Sequence, residues 1–116
     1  MLRIHNCGLK LFKENVKEKK LFMWGSGARA ELCYKEWNIK ENITAIVDNN
    51  EKIWNKGWHI DHRILCINKE RMISDICTYG VDNCVLLITP GFYAMEIIEE
   101  LDKVDSFDGL ETYIAS

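Results

Sequence analysis

A chain of 116 residues with 47% hydrophobic residues is expected to form one globular domain, with no room for a second catalytic domain. The formal net charge is −3 and both signs are interspersed, which argues against a nucleic-acid partner. No apolar run is long enough to span a bilayer or to form a signal peptide, and the five cysteines form no C-x-x-C pair, so we expect a cytoplasmic protein with reduced thiols and no membrane insertion.

The chain begins with a predicted N-terminal helical extension over residues 1–19, followed by a main domain over residues 20–116. The helix itself is expected over residues 8–19, because apolar side chains recur there at helical spacing. Its apolar stripe consists of Leu9, Phe12 and Val16.

The main domain opens with an apolar run, residues 20–24, which predicts a strand. A glycine-containing turn follows, and then a helical pattern over residues 28–37 that Asn38 would end. A second apolar run over residues 43–48 predicts the next strand and finishes on Asp48. The pattern is thus strand, glycine turn, helix, strand and acidic residue.

Strands and helices continue to alternate in the second half. The predicted elements are a strand over 63–66, a helix over 68–76, a strand over 84–89, a helix that begins at 89–91 and a strand over 110–115. This alternation predicts an α/β protein with a five-stranded parallel sheet in the order 3-2-1-4-5, covered by helices on both faces. Since the chain stops almost on its last strand, we expect a domain related to, or cut from, a longer protein.

The first half has the arrangement of a dinucleotide-binding, Rossmann-like fold in three layers. Gly25 would permit the tight turn, Gly27 would let a pyrophosphate approach the backbone, and Ala30 would let the helix lie close to the sheet. The first N–H groups of the helix would face the phosphate, and Asp48 would accept hydrogen bonds from a ribose diol. The alternative is a turn whose glycines serve only packing, with Asp48 as a solvated strand end.

The predicted ligand site lies at the switch point between the first and fourth strands. Its predicted cofactor-binding residues are Gly25, Ser26, Gly27, Ala28, Arg29, Asp48, Asn49 and Thr89. Arg29 could contact a phosphate or remain exposed. The carboxylate of Asp48 would repel a 2′-phosphate, which favours NAD over NADP, and a nucleotide sugar is the other ligand considered.

The segment 21–30, the run 46–54 that includes Asp48-Asn49-Asn50, and Gly57 resemble a small Rossmann-like domain of bacterial surface-polysaccharide proteins. Such domains are found at the N-termini of sugar acyltransferases and of nucleotide-sugar dehydratases and epimerases, and at the C-termini of sugar C-methyltransferases. The resemblance covers about residues 20–115. It implies nucleotide or nucleotide-sugar binding beside a polysaccharide-biosynthesis enzyme, with Gly25, Gly27 and Asp48 at binding positions. The chain departs from the pattern at Trp24, whose indole would either shield the site or stack on a base.

Three other features have both a functional and a structural interpretation. His59, His62 and Cys66 could bind zinc, but their spacing favours a surface loop, so no metal site is predicted. Cys33 is interpreted as a buried, inert thiol rather than an activated one. For Trp54 and Trp58, packing or a homodimer contact through an exposed loop is favoured over stacking on a base.

No catalytic constellation is found. None of the four tyrosines has the lysine four residues later that short-chain oxidoreductases use, and no P-loop lysine or nucleophile elbow occurs. Three functions therefore remain open: a nucleotide-binding module without complete catalytic machinery, an interaction domain on a degenerate scaffold, and a small oxidoreductase or methyltransferase-related domain.

Overall fold

The computed structural model of the protein describes residues 1–5, 12, 16–89 and 91–115. The strands are β1 (Arg3–His5), β2 (Lys20–Trp24), β3 (Ile43–Val47), β4 (Leu65–Ile67), β5 (Cys84–Ile88) and β6 (Glu111–Ile114). The helices within these ranges are α1 (Ala28–Glu36), α2 (Lys69–Tyr79) and α3 (Ala94–Asp102). None of these helices is long and apolar enough to cross a membrane.

All six strands belong to one sheet, whose order is β1-β6-β5-β2-β3-β4 and whose neighbours are all parallel. The α/β class and the parallel sheet are therefore confirmed, but the expectation of five strands is wrong. The additional strand is β1, which pairs Arg3 with Glu111 and His5 with Tyr113. The His5 ring stacks on that of Tyr113 with centroids 4.6 Å apart, and its Nε2 contacts the Glu111 carboxylate.

The sheet separates two apolar clusters, because successive side chains of a strand point to opposite faces. Along β2, Leu21 and Met23 pack with Cys33 of α1, together with Phe12 and Val16 of the N-terminal segment. The alternate side chains of β2 pack with residues of α2 and α3, a set that includes Phe22, Trp24, Met72, Ile76, Ile97 and Leu101. Each large apolar side chain buried in this way contributes about 1.5–3 kcal/mol.

Several element boundaries agree with expectation. Residues 20–24 form β2 as predicted, and α1 ends one residue earlier than expected. Asn38 follows it with a φ of 51°, a left-handed conformation that asparagine tolerates and that often ends a helix. Phe12 and Val16 are helical and buried, but residues 17–19 form a turn and a bend instead of the predicted end of the helix. Residues 8–11 and 13–15 of that helix, including Leu9, lie outside the described residues.

Other boundaries differ. The short strand lies at Leu65–Ile67 instead of 63–66, and α2 runs three residues beyond its predicted end at 76. The last helix begins at Ala94, after a 3-10 turn over Gly91–Tyr93, rather than at 89–91. The predicted strand ends at 48, 89, 110 and 115 each lie one residue outside the observed strands.

Candidate functional site

A cavity of about 450 Å³ lies at the carboxyl ends of β2, β3 and β5. Every residue predicted to bind the cofactor lines it: Gly25, Ser26, Gly27, Ala28, Arg29, Asp48, Asn49 and Thr89. The remaining lining residues are Trp24, Ala30, Tyr93, Glu96, Ile97 and Glu100. In an open α/β sheet this is the position at which ligands are generally bound.

The glycine turn forms the floor of the cavity. Gly25 has a φ of 111°, which side chains rarely permit, and its N–H donates to the Val47 carbonyl over 2.7 Å. Gly27 occupies the N-cap position of α1, has no side-chain cap, and a Cβ added there would meet no atom within 4 Å. The Glu31 N–H donates to the Gly27 carbonyl. The N–H groups of α1 before Glu31 are thus left to solvent or a ligand.

Asp48 lies directly after β3 and bonds to the turn opposite it. Its Oδ2 accepts the Ser26 hydroxyl over 2.7 Å, and its Oδ1 accepts the Asn50 N–H over 2.9 Å. A carboxylate offers about four lone-pair positions, so each oxygen retains acceptor capacity beyond these bonds. The Asp48 backbone is fixed as well, since its carbonyl accepts the Trp54 indole N–H over 2.7 Å.

The loop after β3 is hydrogen-bonded to the glycine turn. The indole N–H of Trp58 donates to the Ser26 carbonyl over 3.0 Å, and the Trp58 ring lies edge-on to Tyr34 with centroids 5.4 Å apart. Trp58 is only 1% exposed and Trp54 is half-buried. The packing alternative for these two tryptophans is therefore confirmed, since each indole N–H donates to a backbone carbonyl of the chain itself. A homodimer contact stays a prediction.

Gly57 permits this loop to close. A Cβ at Gly57 would lie 2.5 Å from the His62 backbone oxygen, which is closer than atoms can approach. Gly57 also forms an antiparallel bridge to Leu65, and Trp58 N–H donates to the Ile64 carbonyl over 2.7 Å. Local sterics thus require a glycine at this position, which also contributed to the sequence resemblance.

Asp61 ties the same loop to α1. Its carboxylate accepts the Tyr34 hydroxyl over 2.7 Å and two N–H groups of the Arg63 guanidinium over 2.8 and 3.0 Å. These hydrogen bonds hold the pKa of Asp61 well below its ordinary value, and the bonding to the Arg63 side chain has the largest effect. The same carboxylate raises the pKa of Tyr34.

Arg29 and Thr89 line the cavity but already have protein partners. The Arg29 guanidinium donates to the Ala115 carbonyl over 3.0 Å while its side chain remains exposed. The Thr89 hydroxyl is buried and donates to the Trp24 carbonyl over 2.7 Å, so it joins the ends of β2 and β5. Trp24 is 3% exposed and belongs to the core, which limits it to a wall of the cavity rather than a stacking platform.

Sequence reasoning missed one wall of the cavity, the α3 wall, which is formed by α3 and by Tyr93 directly before it. Its members are Tyr93, Glu96, Ile97 and Glu100. Their spacing of three and four residues places them on one helical face, and this spacing is the signal that could have identified them. Glu100 forms an ion pair with Lys69, whereas none of the ion pairs found in the described part of the chain includes Glu96.

No protein-family model matches this chain, and a search of curated proteins finds no match.

Among the described residues, no cysteine or histidine lines the cavity. Cys33 is buried, as expected, and burial raises the pKa of its thiol to about 11, against a smaller opposing effect of Arg29. His59 and His62 are exposed whereas Cys66 is buried. Over residues 1–5, 12, 16–89 and 91–115, no three His, Cys, Asp or Glu side chains are grouped so that they could hold a metal ion.

The charges around the cavity are unequally distributed. Arg29 is the cation in the lining, and it lies on the α1 side with the uncapped helix end. Carboxylates lie at Asp48 and on the α3 wall. This arrangement can hold one anionic group at the start of α1 and hydrogen-bonding hydroxyl groups beside Asp48.

Proposed function

We propose that this chain is a nucleotide-binding domain with a Rossmann-like, three-layer fold that binds NAD or a nucleotide sugar. The diphosphate lies against the first N–H groups of α1, and the ribose diol reaches Asp48. The domain acts in the cytoplasm beside a polysaccharide-biosynthesis enzyme, a context that rests on the sequence resemblance. It supplies binding rather than a complete catalytic site.

One observation carries this proposal: the uncapped start of α1 and the carboxylate of Asp48 line the same cavity. A helix N-terminus without a side-chain cap leaves donors that favour an anion. Open space above Gly27 lets a phosphate approach them. The Ser26–Asp48 hydrogen bond holds the two features in a fixed relation, which reduces the entropic cost of binding.

The position of Asp48 also supports a preference for NAD over NADP. A 2′-phosphate at the ribose would meet this carboxylate, whereas a diol would donate hydrogen bonds to it. Arg29 does not reverse the preference, because its guanidinium lies at the Ala115 carbonyl after β6, whereas Asp48 follows β3 on the other side of β2. We expect NADP to bind about ten-fold or more weakly than NAD, which corresponds to about 1.4 kcal/mol.

A second function is favoured by a different observation. Phe92 is 97% exposed and Met95 is 63% exposed beside the cavity-lining residue Tyr93, an unusual concentration of large apolar side chains on the surface. Such residues are typical of an interaction domain that recognises another protein and needs no nucleotide. In that case the Asp48 carboxylate serves only Ser26 and Asn50.

A thermal-shift panel separates these functions. The ligands are NAD, NADP, UDP-glucose and S-adenosylmethionine, each in large excess. A ligand at ~100 times its dissociation constant adds about 2.7 kcal/mol to the free energy of unfolding, which corresponds to a rise of about 10 °C in Tm for a domain of this size.

A rise with NAD or UDP-glucose supports the nucleotide-binding domain. A rise with S-adenosylmethionine alone would replace it with the methyltransferase-related alternative. If none of the four ligands raises Tm at millimolar concentration, the interaction domain is the better description.

A further inference from the structure

We infer that the α3 wall selects the terminal group of the ligand by charge, and that Glu96 is the residue responsible. The inference rests on the proposed function and extends it. The ligand class is a nucleoside diphosphate whose second substituent is neutral or cationic, and acidic substituents such as uronic acids are disfavoured.

The geometry places this wall where the second substituent must lie. The diphosphate occupies the start of α1 and the first ribose extends towards Asp48, so the remaining part of the ligand is directed to the other side of the cavity. That side is lined by Tyr93, Glu96, Ile97 and Glu100 of the α3 region. The group beyond the diphosphate is therefore expected to contact the α3 wall.

The wall has an unneutralised negative charge. Glu100 is compensated by its ion pair with Lys69. Glu96 has no cation in the ion pairs of the described residues, and Arg29, the cation in the lining, belongs to α1 and donates to the Ala115 carbonyl. A carboxylate on the ligand would therefore meet an uncompensated like charge, whereas hydroxyl or ammonium groups would find an acceptor.

Two ligand arms test the inference, because NAD and nucleotide sugars share the diphosphate. The first arm compares UDP-glucosamine, UDP-glucose and UDP-glucuronate, and the second compares NAD⁺ with NADH, whose nicotinamide lacks the positive charge. Kd values are measured by titration calorimetry for the wild type, Glu96→Gln and Glu99→Gln. Glu99 is the matched control, since it is an exposed carboxylate on the same helix but does not line the cavity.

The wild type is expected to bind the more positive member of each series more tightly. Glu96→Gln is expected to reduce that preference about three- to ten-fold, the range for one elementary charge at an exposed site, and Glu99→Gln to leave it within two-fold. The effect of Glu96→Gln should shrink at high salt, because exposed charges are screened.

The outcomes distinguish this inference from the proposed function. Binding with unchanged preference in Glu96→Gln overturns the role of Glu96 and leaves the nucleotide-binding function standing. An equal change in Glu99→Gln also overturns it, because the effect is then one of net charge. If neither ligand series binds to the wild type, both proposals fall.

Discussion

Helices α1 and α2 each begin after the carboxyl end of a strand, β2 and β4 respectively, yet their N-termini are capped differently. Asn68 precedes α2, and its side chain accepts the Arg71 N–H over 2.7 Å. Gly27 precedes α1 and offers no side chain. A side chain thus caps one N–H group at the start of α2, whereas no side chain caps the start of α1. Under the proposed function, this difference is the reason why the ligand would bind at the start of α1 rather than at that of α2.

Transferring a cap from α2 to α1 should have the largest effect. In Gly27→Asp the new carboxylate accepts the first N–H groups of α1 and occupies the position proposed for the phosphate. We expect the affinity for NAD or UDP-glucose, measured by titration calorimetry, to fall at least ~100-fold, about 2.7 kcal/mol. Tm in the absence of ligand should not fall, since a Cβ at Gly27 meets no neighbour within 4 Å.

Unchanged affinity in Gly27→Asp would mean that the two helix ends differ without functional consequence. The comparison would then describe only local packing.

The contact that holds the glycine turn before α1 can be disrupted separately. Gly57→Ala forces a Cβ against the His62 backbone and disturbs the loop from which Trp58 holds the Ser26 carbonyl. We expect a loss of about 1–3 kcal/mol in the free energy of unfolding, measured by urea denaturation. Gly27→Ala is the matched control, which meets no neighbour within 4 Å and should cost less, about 0.5–1 kcal/mol, because alanine is a poorer N-cap residue than glycine. Equal losses in the two variants would contradict the steric role of Gly57.

Removing the cap of α2 is the complementary experiment. Asn68→Ala leaves the Arg71 N–H without its partner and should cost about 1 kcal/mol, or about 4 °C in Tm. The affinity for nucleotides should stay unchanged, because Asn68 does not line the cavity. A loss of affinity as large as that of Gly27→Asp would show that the difference between the helix ends is not local.

The smallest effect is expected from the bond that ties α1 to the loop. The lowered pKa of Asp61 means that the folded protein holds this carboxyl ionised to a lower pH than the unfolded chain does. Its stabilisation is therefore complete well above the ordinary value of 3.8 and is lost as the pH falls below it. Urea denaturation across this range should show a steeper loss for the wild type than for Asp61→Asn. Parallel curves would contradict the assignment.

Much of the fold could be predicted from the sequence. The continuous apolar runs of β2 and β5 indicate buried parallel strands, and the glycine turn followed by Asp48 indicates the edge at which the cavity lies. Element β1 could not be predicted. It has three residues, too few for a periodic pattern, and its partner β6 lies at the far end of the chain.

The site could be predicted only in part. Local motifs identify the residues of the turn and the strand end, because their roles depend on backbone geometry near in sequence. The α3 wall depends on how that helix is rotated against the sheet, which is set by the packing of Ile97, Ile98 and Leu101. The inward direction of Trp58 depends on its bond to the Ser26 carbonyl, a contact between residues distant in sequence.

The central claim is that the start of α1, and not that of α2, receives the anionic part of a nucleotide. Backbone amide chemical shifts recorded by NMR during titrations with NAD and, separately, with UDP-glucose test it most directly. We predict progressive shifts for the amides of residues 25–30 in at least one titration, and no comparable shifts for residues 69–71. The claim would be contradicted if the amide signals of residues 25–30 did not shift at millimolar concentrations of both ligands. Equal shifts at the two helix starts would also contradict it.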